Sequence, residues 1–334
     1  MRIGVDLMGS ESSPQQLLGA VFEILPQLSP ADSLVIFATE DLLSKSAAFS
    51  FTNLNQRKQV DLHLVSEVIT MDDDPLASIR LKKGSSLVIG ITQLKEKKID
   101  AFVTAGNTGA VIACSSILLP LMKGIERPAL LASLPTLSRP LALVDVGGLV
   151  SFKPQYLVQN AHFGAAFQRC SFGINRPSVG LLNIGTESKK GTPEMREAYR
   201  LLQAASEASN AKIRFLGNIE GREVFQGKVD VLVTDGFTGN VLLKTTEGIS
   251  SFIFDYLKQE LAQGSSTNIE RVLDGLKRHF SYEEYPGALV CGIEGILLKC
   301  HGATTSRGVA QSISGAIHLV KNDLLNKIQE ELVT

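Results

Sequence analysis

The chain has 334 residues, of which 44% are hydrophobic and 20% are charged, and this balance is typical of a globular protein with a sizeable core. Its 33 basic and 34 acidic side chains leave a formal charge of -1, which excludes a global field that would attract nucleic acid. The four cysteines have no C-x-x-C spacing and lie in apolar surroundings, so we expect buried, reduced thiols rather than a disulfide framework.

Apolar runs alternate with helical patterns along the whole chain. Met1 and Arg2 lead directly into the first run without the pattern of a secretory signal, so we expect a cytoplasmic location. Helix starts are indicated at Ser13-Pro14 and Thr192-Pro193, where a capping residue precedes a proline at the first helical position. Strands are predicted at residues 3–7, 34–38, 60–65, 101–104, 130–134, 141–146, 179–184, 213–216, 229–234 and 295–299.

Most of the predicted strands lack in-out alternation, which is typical of strands that are covered on both faces. The uncharged window at residues 101–122 is divided by a polar turn, so we interpret it as buried core and not as a membrane span. The sequence therefore predicts an α/β fold, with a doubly wound, mostly parallel sheet and helices on both faces, in one large unit over residues 1–334.

Two apolar stripes at helical spacing occupy residues 249–280 and are separated by Gly264-Ser265-Ser266. One interpretation is a pair of helices that pack on the sheet or across a dimer. The alternative hypothesis is a protruding helical hairpin whose apolar tip enters the membrane interface, where basic side chains such as Arg271 and Lys277 meet lipid headgroups.

Polar turns that contain glycine follow or close five of the predicted strands. Glycine lets the backbone approach a ligand, and a helix N-terminus binds anions. Because the carboxyl ends of parallel strands meet at one edge of a sheet, these turns predict an anion site along that edge. The turns are residues 104–109 (TAGNTG), 183–185 (NIG), 217–218 (GN), 235–240 (DGFTGN) and 301–302 (HG).

Nine collinear segments carry a resemblance to a known family. They are residues 3–9 (IGVDLMG), 71–86 (MDDDPLASIRLKKGSS), 104–110 (TAGNTGA), 125–130 (IERPAL), 143–148 (LVDVGG), 182–191 (LNIGTESKKG), 217–222 (GNIEGR), 235–248 (DGFTGNVLLKTTEG) and 296–302 (ILLKCHG). In this order the chain resembles the fatty acyl-ACP:phosphate acyltransferases of bacterial phospholipid synthesis.

The resemblance implies that inorganic phosphate displaces acyl carrier protein from a long-chain acyl thioester. The acyl phosphate product then serves a membrane-bound glycerol-3-phosphate acyltransferase. The resemblance also implies a homodimer without metal or nucleotide cofactor, in a peripheral position at the inner face of the cell membrane. It implies a fold similar to that of phosphotransacetylases and isocitrate-type dehydrogenases.

Two segments depart from the family's pattern. Ser10-Glu11 stand where the family has a glycine and an aspartate, so the Glu11 carboxylate is one methylene further from the backbone. The family's D-x-G-A-N motif corresponds to residues 145–149 (DVGGL) in this chain. The hydrocarbon side chain of Leu149 therefore stands where the family has an asparagine amide. The role of that amide is therefore not carried over to Leu149.

Acyl transfer to phosphate needs a held dianion, donors for the developing oxyanion, and a proton or charge for the leaving thiolate. We expect the catalytic groups to be Lys190, Asn240, Lys244 and His301, because imidazole titrates near neutral pH and the lysines lie near glycine-rich turns. A basic patch for the carrier protein is expected at Arg80, Lys82, Lys83 and Arg127. The expected substrate-binding residues are Asp6, Gly106, Asn107, Thr108, Gly109, Asn183, Glu187, Asn218, Asp235, Gly236, Thr238 and Gly239.

Structural interpretations stay open for several of these residues. Asp6, Asp145 and Asp235 also fit caps or turn formers, and Asn107 fits a helix cap. A phosphotransacetylase-like enzyme acting on acyl-CoA is one alternative function. A membrane-associated dimeric scaffold with a degenerate site is another, which Leu149 favours. The chain contains neither G-x-G-x-x-G nor G-x-x-x-x-G-K-[ST], which disfavours a nicotinamide dehydrogenase and a P-loop kinase.

Overall fold

The computed structural model of the chain describes residues 1–45, 58–149, 151–261 and 286–332. The chain divides into two compact units. Unit 1 comprises Met1–Pro128, Cys170–Gly173 and Pro286–Thr334, and unit 2 comprises Ala129–Arg169 and Ile174–Tyr285. The single functional unit expected over residues 1–334 stays a prediction.

Strands and helices alternate along the described chain. The strands are β1 (Arg2–Asp6), β2 (Ser33–Ala38), β3 (Val60–Leu64), β4 (Ala101–Thr104), β5 (Ala129–Leu134), β6 (Leu141–Val144), β7 (Ser178–Leu182), β8 (Arg214–Ile219), β9 (Val231–Val233), β10 (Ala288–Cys291) and β11 (Ile296–Lys299). The helices are α1 (Pro14–Ile24), α2 (Glu40–Lys45), α3 (Pro75–Leu81), α4 (Ser86–Lys95), α5 (Thr108–Leu118), α6 (Pro154–Phe172), α7 (Pro193–Glu207), α8 (Gly236–Leu261), α9 (Ser306–Lys321) and α10 (Leu324–Leu332).

The strands of unit 1 follow the order β3-β2-β1-β4-β11-β10. All neighbours in this order are parallel except β10, which runs antiparallel to β11. Helix α9 packs on β1, β4 and β11, and α4 packs on β1, β2 and β4. Phe37 and Phe102 are fully buried in this core and meet edge to face, with ring centroids 5.6 Å apart. The carboxyl ends of β1, β4 and β11 therefore lie side by side.

The strands of unit 2 follow the order β5-β6-β9-β7-β8. The strands from β6 to β8 are parallel, and β5 pairs antiparallel with β6. The three residues of β9 and the four of β6 are all buried, as expected for central strands that are covered on both faces. The turns after β6, β9 and β7 therefore lie along one edge of this sheet.

The predicted α/β class with a mostly parallel sheet is confirmed, and each of the ten predicted strands overlaps an observed one. Both predicted helix starts are also confirmed. The hydroxyl of Ser13 accepts from the N–H of Gln16, and Thr192 caps α7 in the same way through the N–H of Met195. The sequence did not predict β10, a four-residue strand that belongs to the antiparallel minority.

The first half of the expected hairpin continues α8, and its apolar stripe faces outward. Ile249, Phe252, Ile253 and Tyr256 are each 46 to 68% exposed. The described part of this stripe therefore does not pack on the sheet of its own chain. The second half of the hairpin lies outside the described residues. Within the described ranges, no helix combines the length and apolar character that a membrane span requires.

Candidate active site

Asp6 ends β1 and is one member of a buried polar group in unit 1. One carboxylate oxygen accepts from the N–H of Met8 at 2.9 Å, and the other accepts from the hydroxyl of Thr104 at 2.9 Å. Only 2% of the Asp6 residue is exposed, and this burial raises its pKa to about 6, although hydrogen bonds from Met8, Ser86 and Thr104 act in the opposite direction. The Asp6 carboxyl therefore changes charge near neutral pH.

The turn after β4 leads into the N-terminus of α5. Asn107 caps this helix, because its side-chain oxygen accepts from the N–H of Ala110 at 3.1 Å. Its amide nitrogen donates to the carbonyl oxygens of Thr70 and Met71, which joins the cap to a neighbouring loop. Thr108 is exposed, as is Gly109, and the first N–H groups of a helix have no partner within it. This helix start has a neutral cap and an accessible hydroxyl.

His301 and Gly302 follow β11 in the same unit. The ring nitrogen Nδ1 of His301 accepts from the N–H of Ala303 at 3.2 Å, so the neutral ring carries its proton on Nε2. The carbonyl of Gly302 accepts from the Ser10 hydroxyl at 2.7 Å and from the Glu11 N–H at 3.0 Å. The segment that departs from the family's pattern thus supports the histidine loop through the Ser10 hydroxyl and the main chain of Glu11.

Asp145 follows β6 in unit 2 and organises the turn that contains the second departure. Its buried carboxylate accepts from the N–H groups of Leu130, Gly147, Gly148 and Leu149 at 2.7 to 3.1 Å. Burial raises the pKa of Asp145, and these four donors oppose the rise. The main chain of Leu149 donates to Asp145 and accepts from Gly236, and these bonds do not depend on the side chain at position 149. Asp145 is therefore a turn former.

The turn after β9 packs closely on the Asp145 turn. A Cβ at Gly239 would lie 1.9 Å from the carbonyl oxygen of Asp145, so only glycine fits there. Asn240 is exposed, and its side chain lies near Gly147, where an added Cβ would be 3.7 Å from the Asn240 Cγ. Asp235 caps α8, because its carboxylate accepts from the N–H and the hydroxyl of Thr238 at 2.9 and 2.7 Å. A negative side chain thus occupies this helix start.

Two asparagines hold the loop after β7. The amide nitrogen of Asn218 donates to the Glu187 carbonyl at 2.8 Å, and its oxygen accepts from the Asn183 amide at 3.1 Å. Asn183 also donates to the Lys190 carbonyl at 3.3 Å. Both amides are therefore engaged with the loop itself, whereas the Glu187 and Lys190 side chains are 55 and 44% exposed and lie 3.9 Å apart. The loop presents the charged side chains of Glu187 and Lys190 to solvent.

The remaining expected cations have different surroundings. Lys244 is half exposed on α8 and pairs with Glu247 at 2.8 Å. Lys82 binds the Asp73 carboxylate at 2.5 Å and the Val68 carbonyl at 2.9 Å, so its ammonium has a structural role in the loop before α3. Arg80, Lys83 and Arg127 are exposed.

The four cysteines are buried thiols. Burial raises the pKa of Cys114 to about 12 and also raises the pKa of Cys170 and Cys300, which disfavours a thiolate nucleophile at these positions. In the part of the chain that the structure describes, no cluster of His, Cys, Asp or Glu has the geometry of a metal site.

The structure thus groups the expected residues within each unit. Unit 1 brings together the ends of β1, β4 and β11, with Asp6, the Asn107 turn and His301. Unit 2 brings together the Asp145, Asp235 and Asn183 turns. Sequence reasoning missed Thr104, the hydroxyl partner of Asp6, and Lys299, a lysine that is only 5% exposed. The available signal for Lys299 was its position, because it is a lysine at the end of an apolar strand just before Cys-His-Gly.

Comparison with known proteins gives a consistent result along the whole chain. Residues 1–327 match the family model described as fatty acid synthesis protein. A phosphate acyltransferase of Chlamydia pneumoniae is 36% identical over 335 residues, which cover 100% of this chain and 99% of the relative. A phosphate acyltransferase of Thermoanaerobacter pseudethanolicus is 38% identical, with 99% of this chain and 97% of the relative covered.

Solved structures show the similarity of fold. A phosphotransacetylase from Streptococcus pyogenes has a TM-score of 0.59 at 16% identity, covering 96% of this chain and 94% of that one. A branched-chain phosphotransacylase from Enterococcus faecalis has a TM-score of 0.59 at 12% identity, with 96 and 99% covered. The full-length match to the relatives, and not this similarity of fold, decides the family. The chain belongs to the phosphate acyltransferase family and is an acyltransferase.

Proposed function

We propose that the chain moves a long-chain acyl group from acyl carrier protein to inorganic phosphate, and that a membrane-bound glycerol-3-phosphate acyltransferase uses the acyl phosphate. Family membership supports acyl transfer to phosphate. Two assignments are more specific than family membership: acyl carrier protein as the donor, and the enzyme that uses the acyl phosphate. They depend on the resemblance and on surface charge.

The start of α5 is the observation that carries the phosphate site. The cap Asn107 is neutral, and the exposed Thr108 and Gly109 offer a hydroxyl and first-turn N–H groups to a dianion. At the start of α8, in contrast, the Asp235 carboxylate already binds the N–H of Thr238 and would repel phosphate. We therefore assign phosphate to the α5 turn.

In the proposed reaction a phosphate oxygen attacks the thioester carbon, a C–O bond forms, and the C–S bond breaks. Phosphate is itself a competent nucleophile, so positioning and electrostatic stabilisation supply the catalysis without a covalent enzyme intermediate. His301 donates a hydrogen bond from Nε2 to the oxyanion, because Nδ1 is engaged with Ala303, and the proton of the attacking hydrogen phosphate passes to the departing thiolate. Lys190 and Lys244, which belong to unit 2, stay predicted catalytic cations.

Two surfaces support the proposed partners. The exposed cations Arg80, Lys83 and Arg127 offer positive charge to an acidic carrier protein, while Lys82 contributes to the fold. The outward apolar stripe of α8 suits either a second copy of the chain or the membrane interface at the inner face of the cell membrane. A homodimer that associates peripherally with the membrane makes both of these contacts, one with the second copy and one with the membrane.

The test is to incubate the purified protein with palmitoyl-ACP and phosphate, trap acyl phosphate with hydroxylamine, and measure acyl hydroxamate. We expect product that requires both phosphate and the carrier thioester, with palmitoyl-CoA a poorer donor. A Thr108→Val variant should raise the KM for phosphate about tenfold because it removes one hydroxyl donor. Equal rates with palmitoyl-CoA would contradict the carrier assignment, and the absence of product from folded protein would favour the scaffold alternative.

A further inference from the structure

Lys299 is a buried lysine at the carboxyl end of β11 that the proposed chemistry does not use. It is register partner to Thr104 on β4, and Thr104 is register partner to Asp6 on β1. These three residues are 5, 0 and 2% exposed. Register partners in a parallel sheet point to the same face, so a cation, a hydroxyl and a carboxyl share one row of the sheet.

The Lys299 ammonium donates to the carbonyl oxygen of Cys300, which belongs to the peptide bond between Cys300 and His301. The N–H of Cys300 donates to the Thr104 carbonyl at 2.8 Å. Cys300 is therefore held through its N–H by β4 and through its carbonyl by Lys299. The residue that follows this doubly held position is His301.

Burying a lysine is costly unless its charge is hydrogen-bonded or balanced. The Cys300 carbonyl meets the Lys299 ammonium, whereas Asp6 lies two strands away in the same row, roughly 10 Å across two strand spacings. A methionine or leucine would fill a strand end at lower cost. The Lys299 ammonium therefore has a role at this position that an apolar side chain could not fill.

We propose that Lys299 is a positioning residue of the acyl transfer reaction, which fixes the Cys300–His301 peptide and thereby the direction of the Nε2 proton of His301. The inference rests on the proposed function of His301. Lys299 itself does not touch the substrate. Its loss leaves His301 chemically intact and poorly aimed.

Kinetics of Lys299→Met test this role, with Lys98→Met as the matched control because Lys98 is an exposed lysine of the same unit. We expect kcat to fall at least ~10-fold and the KM for phosphate to change less than about threefold, because one positioned hydrogen-bond donor to a developing oxyanion contributes on the order of 100-fold or more. In a His301→Ala background, the same Lys299 substitution should lower kcat less than about twofold, because coupled residues are not additive. Full additivity in that background would overturn the proposal.

A second readout does not depend on activity. The chain has five histidines, so the ring resonance of His301 is assignable in a two-dimensional carbon–proton spectrum with a His301→Gln variant. We expect Lys299→Met to shift this resonance, while Lys98→Met leaves it unchanged. Lys299→Gln, which keeps a polar end, serves if the methionine variant does not fold. An unshifted His301 resonance in a folded Lys299 variant refutes the positioning role, whereas a wild type without phosphate-dependent product refutes the proposed function.

Discussion

Asp6 and Asp145 are both buried carboxyls near strand ends, but their hydrogen-bond partners differ. Asp145 accepts four main-chain N–H groups and shapes a turn. Asp6 accepts one main-chain N–H and the side-chain hydroxyls of Thr104 and Ser86. Main-chain donors are fixed in place, so they commit Asp145 to structure, whereas Asp6 keeps a titratable carboxyl beneath the turns that we assign to substrate.

Asp6→Asn should change the pH dependence of stability. The pKa of Asp6 is raised from 3.8 to about 6 on folding. Its stabilising contribution is therefore complete below pH 3.8 and disappears as pH rises through 6. Asparagine does not titrate, so the free energy of unfolding of the variant minus that of wild type should increase by about 2 kcal/mol from pH 4.5 to pH 8.

Urea denaturation at both pH values measures this difference. Asp61→Asn, a substitution of an exposed strand aspartate in the same unit, is the control. Its free energy of unfolding minus that of wild type should change by close to zero between pH 4.5 and pH 8. A constant difference between Asp6→Asn and wild type across this pH range would show that Asp6 is not protonated preferentially in the folded state.

The sequence indicated Asp6 because a carboxylate at a strand end stands out locally. Thr104 and Lys299 were missed because their importance depends on register across three strands that are distant in the chain. A threonine at the end of one apolar run and a lysine at the end of another look ordinary until both are aligned with Asp6. Local patterns report residue types, while register is set by tertiary packing.

At the scale of elements, the loop between β7 and α7 carries Glu187 and Lys190 on a frame of amides. Asn218 reaches this loop from β8, where Gly217 has a φ of 97° beside an irregularity in the pairing of β7 with β8. The sequence predicted Gly217-Asn218 as a turn after the strand, and this was wrong because both residues lie inside β8. The glycine suited a bulge as well as a turn, and only the neighbouring strand distinguishes them.

Asn218→Asp should loosen this loop. The Asn218 amide nitrogen donates to the Glu187 carbonyl, and a carboxylate oxygen in its place would face that carbonyl without a proton. We expect kcat for acyl transfer to fall about tenfold with little change in the KM for phosphate, because a misplaced Lys190 stabilises the transition state less well. Asn210→Asp makes the same chemical change at an exposed turn and should behave as wild type.

Steady-state kinetics with phosphate as the varied substrate distinguish the two interpretations of Asn218. A raised KM for phosphate with unchanged kcat would indicate that Asn218 binds phosphate directly, as the sequence alone suggested.

Helix caps such as Ser13 and Thr192 were predicted correctly because a cap is decided within four residues. The hydrogen bonds of Asn183 and Asn218 were not predicted, because these two residues lie 35 positions apart in the chain.

For the whole molecule, a formal charge of -1 means that any acidic partner must find positive charge locally. Lys82 does not offer it, because Asp73 and the Val68 carbonyl hold its ammonium. Arg80 and Lys83 flank it on the chain and are exposed. The sequence could not separate these neighbouring cations, since the partner of Lys82 lies in the preceding loop and its recognition requires the fold.

Charge reversal at Lys83 is therefore the appropriate test of carrier docking. Lys83→Glu should raise the KM for palmitoyl-ACP about fivefold at low salt, with kcat and the KM for phosphate unchanged, because a rim charge mainly affects encounter. Increasing the ionic strength should weaken carrier binding by wild type more than by the variant, because salt screens exposed charges. Lys98→Glu reverses another exposed lysine of unit 1, 15 positions further along the chain, and should leave all constants at wild-type values. If Lys83→Glu and Lys98→Glu raise the KM for palmitoyl-ACP to the same extent, the carrier responds to net charge alone and the patch is not its docking site.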